Sequence, residues 1–390
     1  MTNTLIGTES DRPRILLFSH RNIFEGALFR CPHYEFEDII SQIDSVDILA
    51  PRPGKWFKYT SRIANQLVYD ANIALNPGLP KTEITKQYDL LFAVFSFPND
   101  VINFNTVTNW KDCCKTSICL IDELWIHRLA KFKGFLRFLS QFDHVLMYYS
   151  QSVKAVAEMI GTRCSFMPPG VDAILFSPYP EPPKRFVDVY SMGRRSQTTH
   201  QALLSMTKES GFFYVYDTLM AAGAINARDH RFLIANMAKR SQYFLVYPGL
   251  IDRPDIRGDQ VEIGNRYFEA AAAGAIMIGE EPRNGEFEKL FNWPDAVSYL
   301  PFGSDNVSAI IKELDKDPDK REQIRKNSIV QSLLRHDWLY RWETVLNTAG
   351  LKPLPKHLKR KQRLHDLARM VESTDVELTF AQEVSPTRVL

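Results

Sequence analysis

The segment from Glu262 to Gly279 constrains the fold of this chain more than any other stretch of its sequence. An acid-led turn is followed by a small-residue helix, which Gly274 ends, and then by an apolar strand. The N–H groups at the start of that helix, near Gly264 and Asn265, have no partner within the helix and can face an anion. The segment therefore predicts an α/β unit with an anion-binding turn at its edge.

Apolar runs alternate with amphipathic stretches over most of the chain, which is the pattern of βαβ units around a parallel sheet. In the first half the runs predict strands at residues 14–20, 46–50, 88–97, 116–122, 144–150 and 164–168. In the second half they predict strands at 186–192, 212–217, 242–248, 275–279 and 296–300. The expected fold class is α/β, with two Rossmann-like doubly wound domains facing each other across a cleft.

The length of 390 residues suits two domains of about 170 to 190 residues each. The proline-rich passage Pro178 to Pro183 interrupts the strand pattern and suits a semi-rigid linker. We expect a first domain at 1–180, a second at 181–348 and a basic C-terminal tail at 349–390.

Composition narrows the function classes. Apolar residues make up 45% of the chain and charged residues 24%, which is typical of a soluble globular protein. The net charge of +2 gives no electrostatic case for nucleic acid. The five cysteines show neither metal spacing nor a disulfide framework, and no secretory signal or membrane-spanning apolar run is visible. These features predict a cytoplasmic protein.

The tail has a charge pattern of its own. From Leu351 to Arg363 it carries six basic residues and no acidic one. Such a run favours a solvated helix face, a crossover back to the first domain, or peripheral contact with the inner face of a membrane.

Further motifs stand in order around the opening segment. They are Pro169-Gly170-Val171-Asp172 followed by Phe176 and Pro178, the strand from Val187 that ends in Gly193-Arg194, Asp317-Pro318 with Arg321, and the aromatic run His336 to Arg341. Over about residues 160 to 348 the set resembles the sugar-nucleotide-binding core of the group-one, family-four type glycosyltransferases. These are retaining enzymes with the two facing domains of the GT-B architecture, and the match is nearest to their CgeB-like variant.

The resemblance implies transfer of a sugar from a nucleotide-diphosphate sugar to a glycan or other hydroxyl acceptor, with retention at the anomeric carbon. The second domain would bind the donor and the first the acceptor, in a role such as polysaccharide biosynthesis. It implies no cofactor and no metal, because helix N–H groups and arginines would stabilise the leaving diphosphate.

The same resemblance assigns roles to individual residues. Arg194 and Glu262 would act on the donor at the reacting end, and His127 would bond a sugar hydroxyl. The substrate-binding set it implies is Gly193, Arg195, Gly264, Asn265, Arg266 and Glu269, with Glu269 accepting bonds from the ribose.

The chain departs from the family pattern at two positions. The first of the family's two glutamates would fall at Val261, whereas this chain has Glu262, one position later. The family's lysine after the Gly-Arg pair is replaced by Thr199, so the second cation on the diphosphate is expected from Arg195 or Arg266.

Three rival functions follow from these features. A nucleotide-sugar epimerase would share the architecture and need no acceptor. A non-catalytic glycan-binding or nucleotide-binding protein on a decayed scaffold would explain the displaced Glu262 and Thr199. A dinucleotide-dependent oxidoreductase is disfavoured, because no G-x-G-x-x-G pattern follows the first strand.

Overall fold

The computed structural model of the protein describes residues 13–24, 26–209, 211–216 and 226–383. Two parallel sheets, one from each half of the chain, organise these residues. The predicted α/β class, with two Rossmann-like units of the GT-B type, is confirmed. The positions of the domain boundaries stay a prediction. Among the described residues no helix is both long and apolar enough to cross a bilayer.

The first sheet has six parallel strands in the order β2, β1, β4, β6, β7, β8. They are β1 (Ile15–Phe18), β2 (Val46–Leu49), β4 (Tyr88–Phe95), β6 (Cys114–Ile121), β7 (His144–Met147) and β8 (Arg163–Phe166), while β3 (Thr82–Glu83) pairs separately with β5 (Val107–Thr108). Alternate residues of β4 lie in different apolar clusters, Leu90, Phe92 and Val94 in one and Leu91, Ala93 and Phe95 in the other. Helices cover both faces, as buried parallel strands require.

The α-helices of the first half are Cys31–Ile43, Phe57–Ala71, Val101–Phe104, Trp110–Cys113, Leu129–Leu136 and Val153–Ile160. Short 3-10 turns span Leu28–Arg30, Pro98–Asp100, Ile126–Arg128, Arg137–Gln141 and Ser150–Ser152. Helix Cys31–Ile43 packs on the sheet face that is turned toward the second domain, and most of the others pack on the opposite face.

The second sheet has five parallel strands in the order β10, β9, β11, β12, β13. They are β9 (Val187–Ser191), β10 (Tyr214–Tyr216), β11 (Ser241–Val246), β12 (Ile276–Gly279) and β13 (Val297–Tyr299). The strand order reverses between β9 and β11, as it does between β1 and β4 in the first sheet. Open sheets of this kind bind ligands outside the carboxyl ends of the strands at such a point.

The α-helices of the second half are Ala173–Phe176, Gln197–Met206, Ala227–Lys239, Pro254–Arg257, Asn265–Ala272, Phe287–Leu290, Val307–Asp315 and Pro318–Arg335. We call Asn265–Ala272 the glutamate helix. Gly274 follows it with φ +63°, and a Cβ there would lie 2.6 Å from the side chain of Ile329. The predicted end of this helix at Gly274 is therefore explained by both backbone conformation and close packing.

The last two helices, Trp338–Ala349 and Pro355–Glu383, return to the first domain. The ring of Trp338 stacks on Phe36 at 4.8 Å, and Trp342 Nε1 donates to Asp44 at 2.8 Å. In the basic tail, Arg360 pairs with Asp172 and Asp337, both at 2.7 Å, and Lys361 pairs with Glu343 at 2.8 Å. These two basic residues of the tail thus stabilise the return of the chain to the first domain.

Candidate functional site

A cavity of about 540 Å³ opens beyond the carboxyl ends of β11, β12 and β13. We call it the edge cavity. Its lining residues are Pro248, Ile251, Arg257, Val261, Glu280, Glu281, Arg283 and Tyr299. It therefore lies at the sheet edge where this class of fold binds ligands.

The lining of the edge cavity combines two arginines, two glutamates and an aromatic ring. Arg257 Nη1 donates to the Gln260 carbonyl at 3.1 Å, while its buried Nε has no hydrogen-bond partner among the described residues. Tyr299 is 60% exposed. Guanidinium groups can bind phosphate oxygens, carboxylates can accept from sugar hydroxyls, and an exposed ring can stack on a base.

None of these lining residues is among the site residues predicted from the sequence. Glu280, Glu281 and Arg283 follow the carboxyl end of β12 almost directly, and Tyr299 ends β13. Their position after two predicted strands was the available signal, because the ends of parallel strands meet at one edge.

The Gly193 loop follows β9 at the point where the strand order reverses. Gly193 has φ +92° and is exposed, which suits a tight exit from the sheet. The Arg194 side chain is 48% exposed, and its Nη1 lies 3.1 Å from Asp252. The guanidinium of Arg195 lies 4.9 Å from the centroid of the Tyr216 ring.

The first domain contributes acidic residues to the same cleft. Asp122 and Glu123 follow β6, and Trp125 Nε1 donates to Glu123 at 2.9 Å. Burial raises the pKa of Glu123, and Arg194 of the second domain lies near enough to oppose that shift. The buried Tyr149 lies among these groups, because its pKa is raised by burial and then by Glu123, Asp122 and Glu262.

His127 lies apart from that group. It is exposed on the turn Ile126–Arg128, and its Cβ would be 3.3 Å from a Cβ placed on Gly258. With Arg253 and Asp255 of the second domain it lines a smaller cavity of about 360 Å³. The predicted contact of His127 with a sugar hydroxyl stays a prediction.

Glu262 forms a contact between the domains. It is fully buried and accepts from the backbone N–H groups of Ser150 and Gln151, both at 3.1 Å, and from Gln260 Nε2 at 2.7 Å. Burial raises its pKa to about 7. The shift by one residue from the family pattern leaves Val261 on the edge cavity and turns Glu262 toward the first domain.

Glu269 is also fully buried, and arginines hold both of its carboxylate oxygens. Arg231 Nη1 donates to one oxygen and Arg266 Nη1 to the other. Although burial acts to raise it, Arg266 and Arg231 hold the pKa of Glu269 below its ordinary value. Arg231 also donates to Glu35 of the first domain at 2.9 Å. The ribose contact assigned to Glu269, like the phosphate contact assigned to Arg266, stays a prediction.

The amino end of the glutamate helix has no side-chain cap. Gly264 occupies the N-cap position, and a Cβ placed on it would meet only the Tyr247 carbonyl, at 3.8 Å. The buried Asn265 Oδ1 has no hydrogen-bond partner among the described residues. Free N–H groups at this end are therefore available to an anion.

Thr199, the residue at the family's lysine position, has a structural role. It is buried, its hydroxyl donates to the Ser304 carbonyl at 2.7 Å, and its N–H donates to the N-cap residue Ser196 at 3.3 Å. Because its hydroxyl is uncharged and is used within the second domain, the missing cation has to come from another residue.

Two aspartate pairs with Asp-x-Asp spacing occur at Asp315-Lys-Asp317 and Asp317-Pro-Asp319. Asp315 accepts from Tyr243, near the amino end of β11, and Asp317 caps helix Pro318–Arg335. Both therefore lie at the sheet edge opposite the edge cavity. Within the described ranges, no three His, Cys, Asp or Glu side chains are grouped so that they could hold a metal ion.

Comparison with known proteins gives a family match for the second domain. A family model described as glycosyl transferase-like matches residues 228–347, which include the glutamate helix and most of the edge cavity. No curated protein matches the chain significantly. The second domain thus contains a glycosyl transferase-like segment, in agreement with the glycosyltransferase class of enzyme predicted from the sequence.

Several solved structures are similar to this chain at low sequence identity, and two of them, with TM-scores of at least 0.50, share its fold. The N-terminal domain of Candida albicans trehalose-6-phosphate phosphatase has a TM-score of 0.53 at 7% identity, covering 90% of this chain and 99% of that one. An alpha-glucosyltransferase in complex with UDP-glucose and DNA containing an abasic site has a TM-score of 0.50 at 12% identity, covering 86% and 99%. S. aureus TarM has a TM-score of 0.44 at 10% identity, and the match covers 67% of this chain but only 55% of TarM.

Proposed function

We propose that the protein transfers a sugar from a nucleotide-diphosphate sugar to a hydroxyl acceptor in the cleft between its two domains. The observation that carries this proposal is the edge cavity. A segment that matches a glycosyl transferase-like family forms most of a 540 Å³ cavity at the ligand-binding edge of its sheet, with cationic and anionic side chains on its walls.

Each residue has a role that suits the chemistry of its side chain. Arg257 and Arg283 bind the diphosphate together with the free N–H groups near Gly264, and Glu280 or Glu281 accepts from hydroxyls of the nucleotide sugar. Arg194, exposed above the strand reversal, stabilises the charge that builds on the departing diphosphate. This arrangement supplies orientation and electrostatic stabilisation, with retention at the anomeric carbon and no metal.

The proposal also includes the acceptor, the type of enzyme and the location of the protein. The acceptor is a glycan or another hydroxyl compound bound by the first domain. The enzyme is of the CgeB-like type, and it acts in the cytoplasm. Membrane contact through the tail is not included, because Arg360 and Lys361 are held in ion pairs.

The test is a screen of the purified protein with UDP-, GDP-, ADP- and dTDP-sugars, in which nucleotide release is measured with and without EDTA. We expect release from one donor, insensitive to EDTA, and a strong loss of release in Arg283→Ala. Arg163→Ala is the matched control, because Arg163 is exposed at the start of β8, on the edge of the first sheet away from the cleft. Release that collapses in EDTA and returns with Mg²⁺ or Mn²⁺ would overturn metal independence.

A second candidate is a nucleotide-binding or glycan-binding protein without turnover. It is favoured by the burial of Glu262 between the domains and by the arginine pairs on Glu269. Saturable nucleotide binding without release from any donor would support it. An altered sugar on the nucleotide, formed without acceptor, would instead indicate the epimerase.

A further inference from the structure

The helix Phe57–Ala71 presents an exposed apolar face on the first domain. Trp56, at its N-cap, is 72% exposed, Tyr59 is 64% exposed and Ile63 is 61% exposed. Spacings of three and four residues place these side chains on one face. The Trp56 and Tyr59 rings lie 6.2 Å apart and form a continuous aromatic patch.

A second exposed face of the same helix is basic. Lys58 and Arg62 are exposed and lie one turn apart, roughly a third of a turn around the helix from Ile63. The remaining face carries Ala64 and Val68, which are buried against the domain. The helix thus packs against the domain with one face and exposes one apolar face and one cationic face.

Helix Leu129–Leu136 extends this surface. A Cβ on Gly134 would lie 2.8 Å from the Val68 carbonyl, so the two helices approach closely at this glycine. The Tyr69 ring lies 4.8 Å from that of Phe135, and the Lys131 ammonium lies 5.7 Å from the Tyr69 centroid. The two helices therefore form one packed unit with a shared outer surface.

The charge of this unit differs from that of the rest of the protein. Residues 51–81 and 126–141 contain nine basic residues and one acidic residue, Asp70, a net charge of +8. The whole chain carries +2, so the remaining residues carry −6. The nine are Arg52, Lys55, Lys58, Arg62, Lys81, Arg128, Lys131, Lys133 and Arg137.

We propose that this basic apolar surface, formed by residues 51–81 and 126–141, binds the surface of an anionic lipid bilayer. Trp56 and Tyr59 would sit at the headgroup level, Ile63 would reach the acyl boundary, and the cations would contact anionic headgroups. A second copy that binds through the same surface does not fit, because it would bring +8 against +8. The proposal does not rest on the reaction in the cleft, although Arg128 and Lys131 of this surface also line the smaller cavity that contains His127.

The experiment is flotation of the full-length protein with vesicles of phosphatidylcholine alone or mixed with phosphatidylglycerol. We expect flotation only with the anionic vesicles. Lys58→Gln, Arg62→Gln and Lys133→Gln together should lower partitioning roughly a hundredfold, since each charge near an anionic surface contributes about a factor of five. Trp56→Ser with Ile63→Ser should lower it at least about tenfold through lost apolar burial.

Two matched controls test the location. Lys352→Gln, Lys356→Gln and Lys359→Gln remove the same number of exposed charges from the tail, and Phe186→Ser removes an aromatic ring that is 51% exposed on the second domain. Both should leave partitioning unchanged, and circular dichroism should be the same for all variants. Equal flotation with neutral vesicles, or an equal loss in the tail variant, would overturn the proposal. The proposal would also be overturned if light scattering showed that the wild-type protein is a dimer and that the Trp56→Ser and Ile63→Ser variant is a monomer.

Discussion

Two regions of the molecule carry the same types of charged side chain and use them in opposite ways. Between the domains, Glu35, Arg231, Glu269 and Arg266 form an ion-pair network in which all but the half-buried Arg266 are buried. At the carboxyl edge of the second sheet, Glu281 and Arg283 of the edge cavity are exposed, while Glu280 accepts from the Phe302 N–H and Arg257 donates to the Gln260 carbonyl.

This contrast shows which charged side chains are available to bind a ligand. A buried charge is strongly destabilising unless it is paired, so the network of Arg231 has to be satisfied within the protein before any ligand arrives. Charges on an open cavity keep their hydration and can exchange water for a ligand. Family resemblance pointed to Glu269 as a ligand contact, whereas the structure gives the exposed cavity the accessible charges.

The largest expected effect is that of Arg231→Met. The substitution leaves Glu35 and Glu269 buried without their shared partner, so the free energy of unfolding should fall by about 3 to 5 kcal/mol. Urea unfolding measures it. Arg283→Met is the matched control and should change stability by less than about 0.5 kcal/mol. Equal effects of the two substitutions would remove the distinction between the regions.

Glu269→Gln tests the same distinction between the ion-pair network and the edge cavity. Loss of charged acceptors for Arg231 and Arg266 should lower stability by about 1.5 to 3 kcal/mol. Calorimetry with free nucleotide then decides the predicted ribose contact. A tenfold to hundredfold loss of affinity in the folded variant supports that contact, and unchanged affinity makes Glu269 a purely structural residue.

Arg283→Ala should show the reverse pattern. Removing a charge-assisted contact to phosphate should weaken binding of a nucleoside diphosphate by about 1.5 to 3 kcal/mol, roughly tenfold to a hundredfold, with unchanged thermal stability. Binding of the bare nucleoside should hardly change. An equal loss for nucleoside and diphosphate would place the phosphate elsewhere.

Per pH unit, the smallest expected effect is a difference in pH dependence. Burial raises the pKa of Glu262 to about 7, so between its unfolded value near 4.3 and pH 7 the native state binds the extra proton. Its contribution to stability is present below pH 4 and is lost as the pH rises to 7, with a slope of at most about 1.4 kcal/mol per pH unit.

Unfolding of wild type and Glu262→Gln between pH 4 and 7.5 tests this slope, which should be shallower in the variant. Glu35, whose pKa burial also raises to about 7, contributes equally to both proteins. The lowered pKa of Glu269 has the opposite sign, so its contribution is lost as the pH falls. Parallel curves for the two proteins would show that Glu262 is ionised in the native state.

Local pattern and long-range contact explain what the sequence could predict. The apolar run of β4 and the glycine that ends the glutamate helix can be recognised from a few neighbouring residues. The first residue of each predicted strand lies within two positions of the first residue of the observed strand. The partners of Glu262 lie more than 100 positions away, at Ser150 and Gln151. Nothing within helix Ala227–Lys239 shows that Arg231 faces two glutamates from different domains.

Two segments that connect the halves of the chain, one near Val171 and one near Asp337, are joined to each other. The Val171 N–H donates to the His336 carbonyl at 3.1 Å, and the Trp338 N–H donates to the Val171 carbonyl at 3.1 Å. Asp337 also accepts from the Ala173 N–H at 2.9 Å. Two chain segments that are hydrogen-bonded side by side resist twisting and sliding more than a single segment does. We therefore expect any relative motion of the domains to be a bend about one axis through this pair, which would change the width of the cleft mouth while keeping the two walls in register.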